Sequence, residues 1–534
     1  MYWSWYQYQT RYVARDRRQL MTPMRVVRLL HVVLLHNACA SIADSRVLAH
    51  RVLLRCLKSE AYADRALHSE LVKAPSSLTA QDRGMATELV YGVMRTTSSL
   101  DYQLEQLIKG GFAKKTQKST LCALRIGAYE IIHLSTPGFA AVDQAVSLAG
   151  PQKSQRSFAN GVLRNLVRRV EADELPQPAA DEKLSPLRAL AIETSTPEWL
   201  LRELSTPPKS GGPALLASFD ELTAWARASS EKPPIALRVN RRRVQPEEVQ
   251  SAFSAAGLSL QAVDGVDDAL LLEVGGGQVS TLPGFAEGWW SVQDVGAQAV
   301  GLLAAPPAVA DGTATMPTTV LDLCAAPGGK STHLAELLHA RGVEGGRVVS
   351  VEVHARKARL IEQACERLGH GEFVHVHVAD ATSADALSGA LVASGAADGL
   401  ADTVVLDAPC SGLGTLRRNP EHRYRPAAPK AYTALCALQG DLLDSAAATV
   451  RVGGSLTYSV CSPLHAETDA SVAAFLERHA GRFEVMPACE NAAVPPEYVV
   501  DSALLGPGTC VRTWTHRGCA DSHFAVSLRR TAPP

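Results

Sequence analysis

Short apolar strands alternate with helical segments over the C-terminal part of the chain, and this alternation constrains the fold more than any other feature. The strands are predicted at VLDL (320–323), VVSVEV (348–353), FVHVHV (373–378), TVVLDA (403–408) and SLTYSV (455–460). Because neighbouring parallel strands need a long crossover connection, usually a helix, this order predicts a doubly wound parallel α/β sheet over residues 301–534.

The chain before this sheet shows two different patterns. Residues 43–172 place apolar side chains at three- and four-residue spacing, for example over 82–108, which predicts an all-α domain. Residues 187–300 mix helix signals with the strand IALRVN (235–240), which predicts a small α+β domain. The polar, proline-rich run 171–186 between them is interpreted as a linker. With 46% hydrophobic and 20% charged residues, the composition excludes disordered and fibrous classes.

The run DLCAAPGGKSTHLAELL (322–338) joins the first strand of the sheet to a helix through a tight turn. In a doubly wound sheet a ligand binds at this point, and Gly328 and Gly329 let the backbone approach it closely. The run matches neither GxGxxG nor GxxxxGK[ST], so a dinucleotide site and a phosphate-binding P-loop fit poorly. A nicotinamide-dependent dehydrogenase is therefore disfavoured.

Three acidic residues follow successive strands of the predicted sheet: Glu352, Asp380 and Asp407. The carboxyl ends of parallel strands meet at one edge, and an acid there commonly accepts hydrogen bonds from ribose hydroxyls. The three acids together therefore indicate a nucleoside ligand.

Two cysteines stand in similar positions at the same edge. Eleven cysteines in 534 residues are too few for a disulfide scaffold, and no CxxC pair indicates a zinc site, so no metal is expected. Cys410 follows one strand in DAPCS (407–411), and Cys461 follows another in YSVCS (458–462). Each alone would be interpreted as a small buried hydrophobic residue. Together, beside CAAPGGK, they indicate thiol chemistry.

With these motifs the chain resembles the RsmB (Sun/Fmu) family of ribosomal RNA cytosine-C5 methyltransferases, in the wider group that contains the NOL and NSUN proteins. The resemblance covers about residues 44–530 and is carried by DLCAAPGGK (322–330), LDAPCSGLGTLRRNP (406–420), LQGDLLDSAA (438–447), GGSLTYSVCS (453–462) and LPGFAEGWWSVQD (282–294). The helical region resembles the NusB-type RNA-binding domain through DRGMATELVYGVMR (82–95), LRIGAYE (124–130) and FANGVLRNL (158–166).

The resemblance implies a multi-domain protein with a NusB-like all-α domain (43–172), an α+β linking and RNA-binding domain (187–300) and a Rossmann-like methyltransferase domain (301–534). It implies transfer of a methyl group from S-adenosylmethionine (SAM) to C5 of a specific cytosine in small-subunit (16S) ribosomal RNA, of the cytosine-967 type. The expected enzyme is a cytoplasmic monomer whose partner is this RNA, without a membrane contact or an obligate protein partner.

The resemblance implies a role for each residue that matches one of the family's motifs. Cys461 would attack C6 of the base as the nucleophile, and Cys410 would assist loss of the C5 proton and release of the adduct. Asp407 would hydrogen-bond N3 of the base, and Lys330 would help to organise Asp407. The same resemblance implies SAM contacts from Cys324, Ala325, Ala326, Pro327, Gly328, Gly329, Lys330, Glu352, Asp380 and Asp407.

Basic residues suggest where RNA binds. The net charge of −1 gives no overall basic field, but residues 46–170 hold 18 Lys/Arg against 9 Asp/Glu. Near the catalytic motifs, a set of arginines is predicted to contact phosphates, although a solvated loop is the alternative: Arg417, Arg418, Arg423 and Arg425.

Some positions depart from the family's pattern. Val460 replaces the usual Thr before the catalytic cysteine, and 465–468 read His-Ala-Glu-Thr in place of a Pro-Glu-Glu-Asn-like run. Residues 521–525 read Asp-Ser-His-Phe-Ala in place of Asp-Gly-Phe-Phe. We expect activity to survive, with altered local hydrogen bonding.

The leader 1–42 is arginine-rich and has two interpretations. A start codon placed too early, with Met21 or Met24 as the true start, is preferred, and a transit peptide to an organelle is the alternative. Its most apolar stretch, 26–35, is too short and too polar to span a membrane.

Two other functions stay open from the sequence. Transfer RNA is an alternative substrate for the same chemistry. A non-catalytic RNA-binding or antitermination factor with a vestigial methyltransferase domain is an alternative from another class.

Overall fold

The computed structural model describes residues 45–59, 61–108, 116–208, 211–272, 278–306, 318–343, 345–424 and 429–533. The leader 1–42 and Arg425 lie outside these residues, so what was expected of them stays a prediction. The chain divides into two compact units between Glu198 and Trp199. Among the described residues, no helix is both long and apolar enough to cross a membrane.

The first unit is built from helices, as the sequence predicted. Their bounds are α1 (45–59), α2 (Ala63–Lys73), α3 (Ala80–Glu105), α4 (Lys118–His133), α5 (Gly138–Leu148), α6 (Lys153–Glu171) and α7 (Pro186–Glu193). α3 begins with a capping box, in which the Thr79 hydroxyl accepts from Asp82 N and Asp82 Oδ2 accepts from Thr79 N. In the core, Arg46 Nε donates to the buried carboxylate of Glu130 at 2.9 Å.

The segment interpreted as a linker packs against α3. Gln103 Nε2 donates to Pro176 O at 2.7 Å, and Tyr102 OH donates to Asp181 Oδ2 at 3.2 Å. The interpretation as a linker was wrong because the segment lies within the first unit, which extends to Glu198, and composition does not reveal such contacts.

The second unit begins with the predicted α+β segment. Its helices are α8 (Glu198–Ser205), α9 (Phe219–Ala228), α10 (Pro246–Ala255) and α11 (Val295–Ala304), and its strands are β1 (Ile235–Val239), β2 (Leu260–Ala262), β3 (Ala269–Leu272) and β4 (Trp290–Val292). The strands form an antiparallel sheet in the order β2-β3-β1-β4. Trp290 and Phe253 pack edge to face in its core, with ring centroids 6.0 Å apart.

A nine-stranded sheet forms the rest of the second unit. Its strands are β5 (Thr319–Leu323), β6 (Arg347–Glu352), β7 (Val374–Val378), β8 (Ala401–Asp407), β9 (Val450–Val460), β10 (Phe483–Met486), β11 (Val499–Ser502), β12 (Gly506–Arg512) and β13 (Phe524–Arg530). Its helices are α12 (Gly329–Ala340), α13 (Ala355–Leu368), α14 (Ala384–Ala393), α15 (Pro429–Thr449) and α16 (Asp469–Arg478). The order is β11-β12-β13-β9-β8-β5-β6-β7, and β10 pairs with β13.

The parallel α/β core is confirmed, but the sheet as a whole is mixed. β5 to β9 are parallel, whereas β13 runs antiparallel to β9 and to β12. A short loop joins β12 to β13 without a crossover helix, and such a connection allows only antiparallel pairing. The helical connections between β5 and β9 place all five carboxyl ends at one edge.

A buried ion network ties the four-stranded sheet to α12. Arg238 of β1 is fully buried and makes two hydrogen bonds to Glu336 of α12, at 2.8 and 2.9 Å. His370 Nε2 lies 3.0 Å from the same carboxylate, and Arg238 also donates to Gly329 O at 2.8 Å. The guanidinium therefore fixes the turn that begins α12.

Replacing Arg238 by Met should lower the free energy of unfolding by about 3–5 kcal/mol, because the Glu336 carboxylate stays buried without its cation. Urea unfolding followed by tryptophan fluorescence measures the loss. The matched control is Arg451→Met, whose ion pairs with Asp398 and Asp402 lie at the surface and should each contribute below about 1 kcal/mol. Equal losses in both variants would contradict this account of the network.

Candidate active site

The CAAPGGK turn leaves β5 and enters α12 with an unusual backbone. Cys324 has φ +56°, and Gly328, with φ +100°, caps α12. Ala325 N donates to Val351 O at 3.0 Å, and Gly328 N donates to Ala325 O at 2.8 Å, so the turn is anchored to β6. A Cβ on Gly328 would lie 3.1 Å from the Cα of Ile361 and would strain the left-handed backbone.

The edge beside this turn carries acids and exposed apolar groups. Glu352 ends β6, is buried, and accepts from His354 N at 3.0 Å. Asp380 is exposed after β7 and accepts from the backbone and hydroxyl of Thr382. Val353 and Val378 are 54% and 57% exposed beside these acids. The edge therefore offers carboxylates for hydroxyl groups and an apolar surface for a flat ring.

Asp322 is a buried carboxyl beneath the same turn. Its Oδ2 accepts from Ser331 Oγ at 2.6 Å, while Oδ1 has no hydrogen-bond partner among the residues that the structure describes. Burial raises the pKa of Asp322 to about 7, against the hydrogen bond from Ser331 and the charge of Lys330. Asp322 is not among the site residues predicted from the sequence.

The structure brings the two motif cysteines together at the ends of β8 and β9. Cys410 Sγ and Cys461 Sγ lie 3.5 Å apart, and both residues are partly exposed. Lys330 Nζ lies 2.8 Å from Asp407 Oδ2, and Ser459 Oγ donates to Asp407 Oδ1 at 2.9 Å. Two thiols, an ammonium group and a carboxylate therefore share one site.

Neighbouring groups raise the pKa of both Cys410 and Lys330. The hydrogen bond with Cys461, together with burial, raises the pKa of Cys410 well above its ordinary value. Burial lowers the pKa of Lys330, but the Asp407 carboxylate outweighs burial, so the net shift is upward. Cys410 therefore keeps its proton at neutral pH, and Lys330 keeps its charge.

A buried carboxylate, Glu467, lies behind both thiols. It accepts from Ser411 N at 2.8 Å and from the hydroxyls of Ser411 and Ser462. Gln439 Nε2 of α15 donates to the same carboxylate at 3.2 Å. In the sequence, Glu467 lies within the run 465–468 that departs from the family's pattern, and no local signal indicates this role.

Comparisons with known proteins identify the family. The model described as "16S rRNA methyltransferase RsmB/F" matches residues 314–529, the NusB family matches 43–168, and a ferredoxin-like domain of RsmF/B-like methyltransferases matches 217–278. Ribosomal RNA small subunit methyltransferase B of Sodalis glossinidius is 31% identical over 81% of this chain and 89% of its own length. The protein of the same name from Pseudomonas putida is 30% identical over 85% of this chain and 93% of its own length.

The chain belongs to the RsmB/F family of 16S rRNA methyltransferases. The solved structure of PH0851 is 23% identical, covers 92% of this chain and 99% of its own, and has a TM-score of 0.66, which supports the same fold. The resemblance, the fold class and the methyltransferase activity predicted from the sequence are therefore confirmed.

Two arginines that were predicted to contact phosphates are held inside this RsmB/F methyltransferase. Arg417 Nε donates to Asp521 Oδ1 at 2.5 Å. Arg418 donates to Asp521 Oδ2 at 2.6 Å and to Asp294 Oδ2 at 2.9 Å. Asp521 begins the run that departs from the family's Asp-Gly-Phe-Phe, and it holds both guanidinium groups.

Arg423 is also buried, and its guanidinium donates to Ser229 O at 2.5 Å. Internal acceptors use these donors, so a phosphate contact would have to displace them. The contacts predicted for Arg417, Arg418 and Arg423 therefore stay predictions. Basic residues in a loop look the same in sequence whether the loop is solvated or packed. Arg425 lies outside the described residues.

The departures from the family's pattern leave the RsmB/F site intact. Val460 is buried at the end of β9, where an apolar side chain packs in the core. Among the described residues, no group of three or more His, Cys, Asp or Glu is placed to hold a metal ion. The predicted SAM-binding and catalytic residues lie at one edge of the sheet, and their individual roles stay predictions.

Gly414 joins the loops next to three strands of the site, β8, β9 and β13. Its N donates to Cys461 O at 3.0 Å, and its O accepts from Ser522 N at 3.0 Å. A Cβ on Gly414 would collide with Ser522 O and lie 2.9 Å from Cys461 O. Because both obstacles are backbone atoms, only a shift of the loop that carries Cys410 could relieve the collision.

Gly414→Ala should therefore reduce the methylation rate by about 100-fold, since a displacement of about 1 Å at a reacting group costs that much. SAM affinity, measured by calorimetry, should stay unchanged. Gly389→Ala is the matched control, because a Cβ there meets nothing within 4 Å. A fully active Gly414→Ala enzyme would show that this loop does not position the site.

Asp322 should make stability depend on pH. Since its pKa is about 7 when folded and 3.8 is its ordinary value, the unfolded chain loses this proton first, and stability falls as pH rises from about 4 to 7. Between pH 5 and pH 8 the free energy of unfolding of the native enzyme should fall about 3 kcal/mol more than that of Asp322→Asn. Urea unfolding at both pH values tests this; parallel losses would refute it.

Proposed function

We propose that this methyltransferase transfers a methyl group to C5 of one cytosine in 16S rRNA, of the cytosine-967 type, through a covalent bond between Cys461 and C6 of the base. The observation that carries the proposal is the pair of thiols 3.5 Å apart beside the Lys330–Asp407 ion pair. Membership of the RsmB/F family supports the RNA substrate.

SAM fits the edge beside the thiols. The glycines of the CAAPGGK turn leave room for a ligand, since a Cβ on Gly329 would meet nothing nearer than 4.0 Å. Glu352 would bind the ribose, and Val353 and Val378 would contact the adenine ring. The Oδ1 atom of Asp322, which has no hydrogen-bond partner among the described residues, would bind a polar group of SAM. The bound SAM supplies the methyl group. The residues of the turn from Cys324 to Lys330, with Asp380 and Asp407, would complete the contacts.

Cys461 acts first on the base. Cytosine C5 becomes nucleophilic only when a group adds to C6, so the Cys461 thiolate forms a bond to C6 and makes C5 enamine-like. The proton that the Cys461 thiol gives up goes to N3, and Asp407 accepts a hydrogen bond from the N3–H that forms and stabilises it. Lys330 holds Asp407 in place through Oδ2, at 2.8 Å.

Cys410 completes the reaction. After C5 has been methylated, Cys410, having given its own proton to solvent, takes the C5 proton. The C5–C6 double bond then re-forms, and the Cys461–C6 bond breaks as the N3 proton returns to the Cys461 sulfur. The raised pKa of Cys410 makes its thiolate a strong base for this proton. The 3.5 Å spacing lets both sulfur atoms reach adjacent carbons of one ring.

The substrate must expose its target base. A cytosine can enter the site only after leaving its stack, at a cost of roughly a few kcal/mol. The family match of residues 43–168 to NusB supports binding of the surrounding RNA by the helical unit. We place this enzyme in the cytoplasm as a monomer with 16S rRNA as its partner and with neither a metal nor a membrane contact.

The test uses purified enzyme, SAM and unmodified 16S rRNA, both naked and in partly assembled small subunits, with bisulfite sequencing of the product. One cytosine should become protected. Cys461→Ala should lose this protection, whereas Cys410→Ala should accumulate an RNA–protein adduct that survives denaturation. Cys489→Ala, at an exposed cysteine, is the matched control and should behave as the native enzyme.

Other outcomes assign other functions. Protection of a cytosine in transfer RNA but not in 16S rRNA would move the substrate to transfer RNA. Tight RNA binding with no protected cytosine in either RNA would favour a non-catalytic RNA-binding factor. Protection that persists in Cys461→Ala would overturn the assignment of the nucleophile.

A further inference from the structure

We propose that Glu467 is a positioning residue that sets the spacing of the two active-site thiols and thereby serves both the attack step and the release step. The inference rests on the proposed function for the meaning of those steps, but the spacing itself can be tested without RNA.

The contacts of Glu467 join the two loops that carry the thiols. Ser411 directly follows Cys410, and Ser462 directly follows Cys461. The Glu467 carboxylate accepts from Ser411 N at 2.8 Å, from both serine hydroxyls, and lies 0% exposed. The two hydroxyls also contact each other at 3.1 Å. One carboxylate therefore connects the residues next to each thiol.

Two further contacts fix Glu467 itself. Gln439 Nε2 donates both to Glu467 Oε1, at 3.2 Å, and to Pro409 O, at 3.0 Å. Tyr458 OH donates to the backbone oxygen of Glu467 at 2.7 Å. Tyr458 lies in β9, close before Cys461, and Pro409 directly precedes Cys410. The carboxylate is therefore tied to the same two strand ends as the thiols.

Four donors converge on the two oxygens of Glu467. A carboxylate accepts at both oxygens, whereas a glutamine amide accepts at one oxygen and donates at its nitrogen. Both serine hydroxyls bind Oε2, and Ser411 N and Gln439 Nε2 bind Oε1. In Glu467→Gln, the amide nitrogen would face either the two hydroxyls, which must then rotate to accept, or the two N–H donors, which cannot accept. The change preserves volume, so it should loosen one loop relative to the other without opening a cavity.

The two serines separate the two steps. Ser462→Ala removes the contact on the Cys461 side, so it should slow formation of the adduct. Ser411→Ala removes the hydroxyl contact on the Cys410 side, so it should slow release and let the adduct accumulate. Glu467→Gln should slow both steps. If Glu467 only stabilised the fold, neither rate would change at temperatures where the variant stays folded.

The first experiment measures the spacing in the full chain without RNA. Phenylarsine oxide binds two neighbouring thiols, forming two As–S bonds and releasing water, and mass spectrometry locates the bridged peptides. The native enzyme should bridge Cys410 to Cys461, and Cys410→Ala gives the blank. Glu467→Gln should bridge this pair at least about 10-fold more slowly. Glu477→Gln, at an exposed residue of α16, is the matched control and should bridge at the native rate.

The second experiment follows the reaction in a single turnover with rRNA. Glu467→Gln should lose about 100-fold in methylation rate, as expected when a reacting group moves by about 1 Å, with unchanged SAM affinity. Ser462→Ala in the Cys410→Ala background should form the adduct more slowly, and Ser411→Ala alone should retain adduct. Thermal unfolding establishes that each variant is folded.

The results separate this inference from the proposed function. Native rates of arsenical bridging in Glu467→Gln overturn the inference, even if the enzyme methylates rRNA. If Glu467→Gln is bridged slowly but the native enzyme methylates no rRNA, the spacing role is supported and the proposed function is overturned. If Glu467→Gln does not fold, the serine variants decide, and native kinetics in both would overturn the inference.

Discussion

The parallel pairing of β8 with β9 decides where each reacting group lies. Asp407 pairs with Ser459, and Ala408 N donates to Ser459 O at 2.9 Å, so the strands stay together to their ends. Each strand is followed within three residues by one of the two motif cysteines, Cys410 and Cys461. A register shift of one residue would turn Asp407 away from Lys330 and separate the thiols. The chemistry therefore depends first on backbone hydrogen bonds.

Buried charges then hold the loops that leave this sheet edge. Arg238 binds the first turn of α12, Arg418 joins the loop after Cys410 to Asp294 and Asp521, and Glu467 joins both cysteine loops. Burying such groups costs free energy, and several hydrogen bonds on each one offset the cost. Any movement of a loop that left such a charge unpaired would therefore cost free energy. The network therefore restricts the site to one arrangement.

Local patterns were sufficient for the elements and for most of the site. β5 to β9 were predicted because short apolar runs between helices have a recognisable period, and Cys410 and Cys461 because each follows such a strand. The internal partners of Arg417, Arg418 and Arg423 were not predicted, because a sequence shows charge but not the partner that neutralises it. The antiparallel β13 and the packed segment 171–186 were missed for a related reason, since both depend on contacts between distant residues.

The sequence by itself determined the family, the α/β class of the sheet and the residue types of the reaction, because motifs and periodicity are local. Only the tertiary structure decided that the two thiols lie 3.5 Å apart and that Glu467 binds the serines beside them. It also decided that Asp322 is buried with a raised pKa. These properties arise from the spacing and dielectric surroundings of groups that are far apart along the chain, and a linear pattern does not contain them.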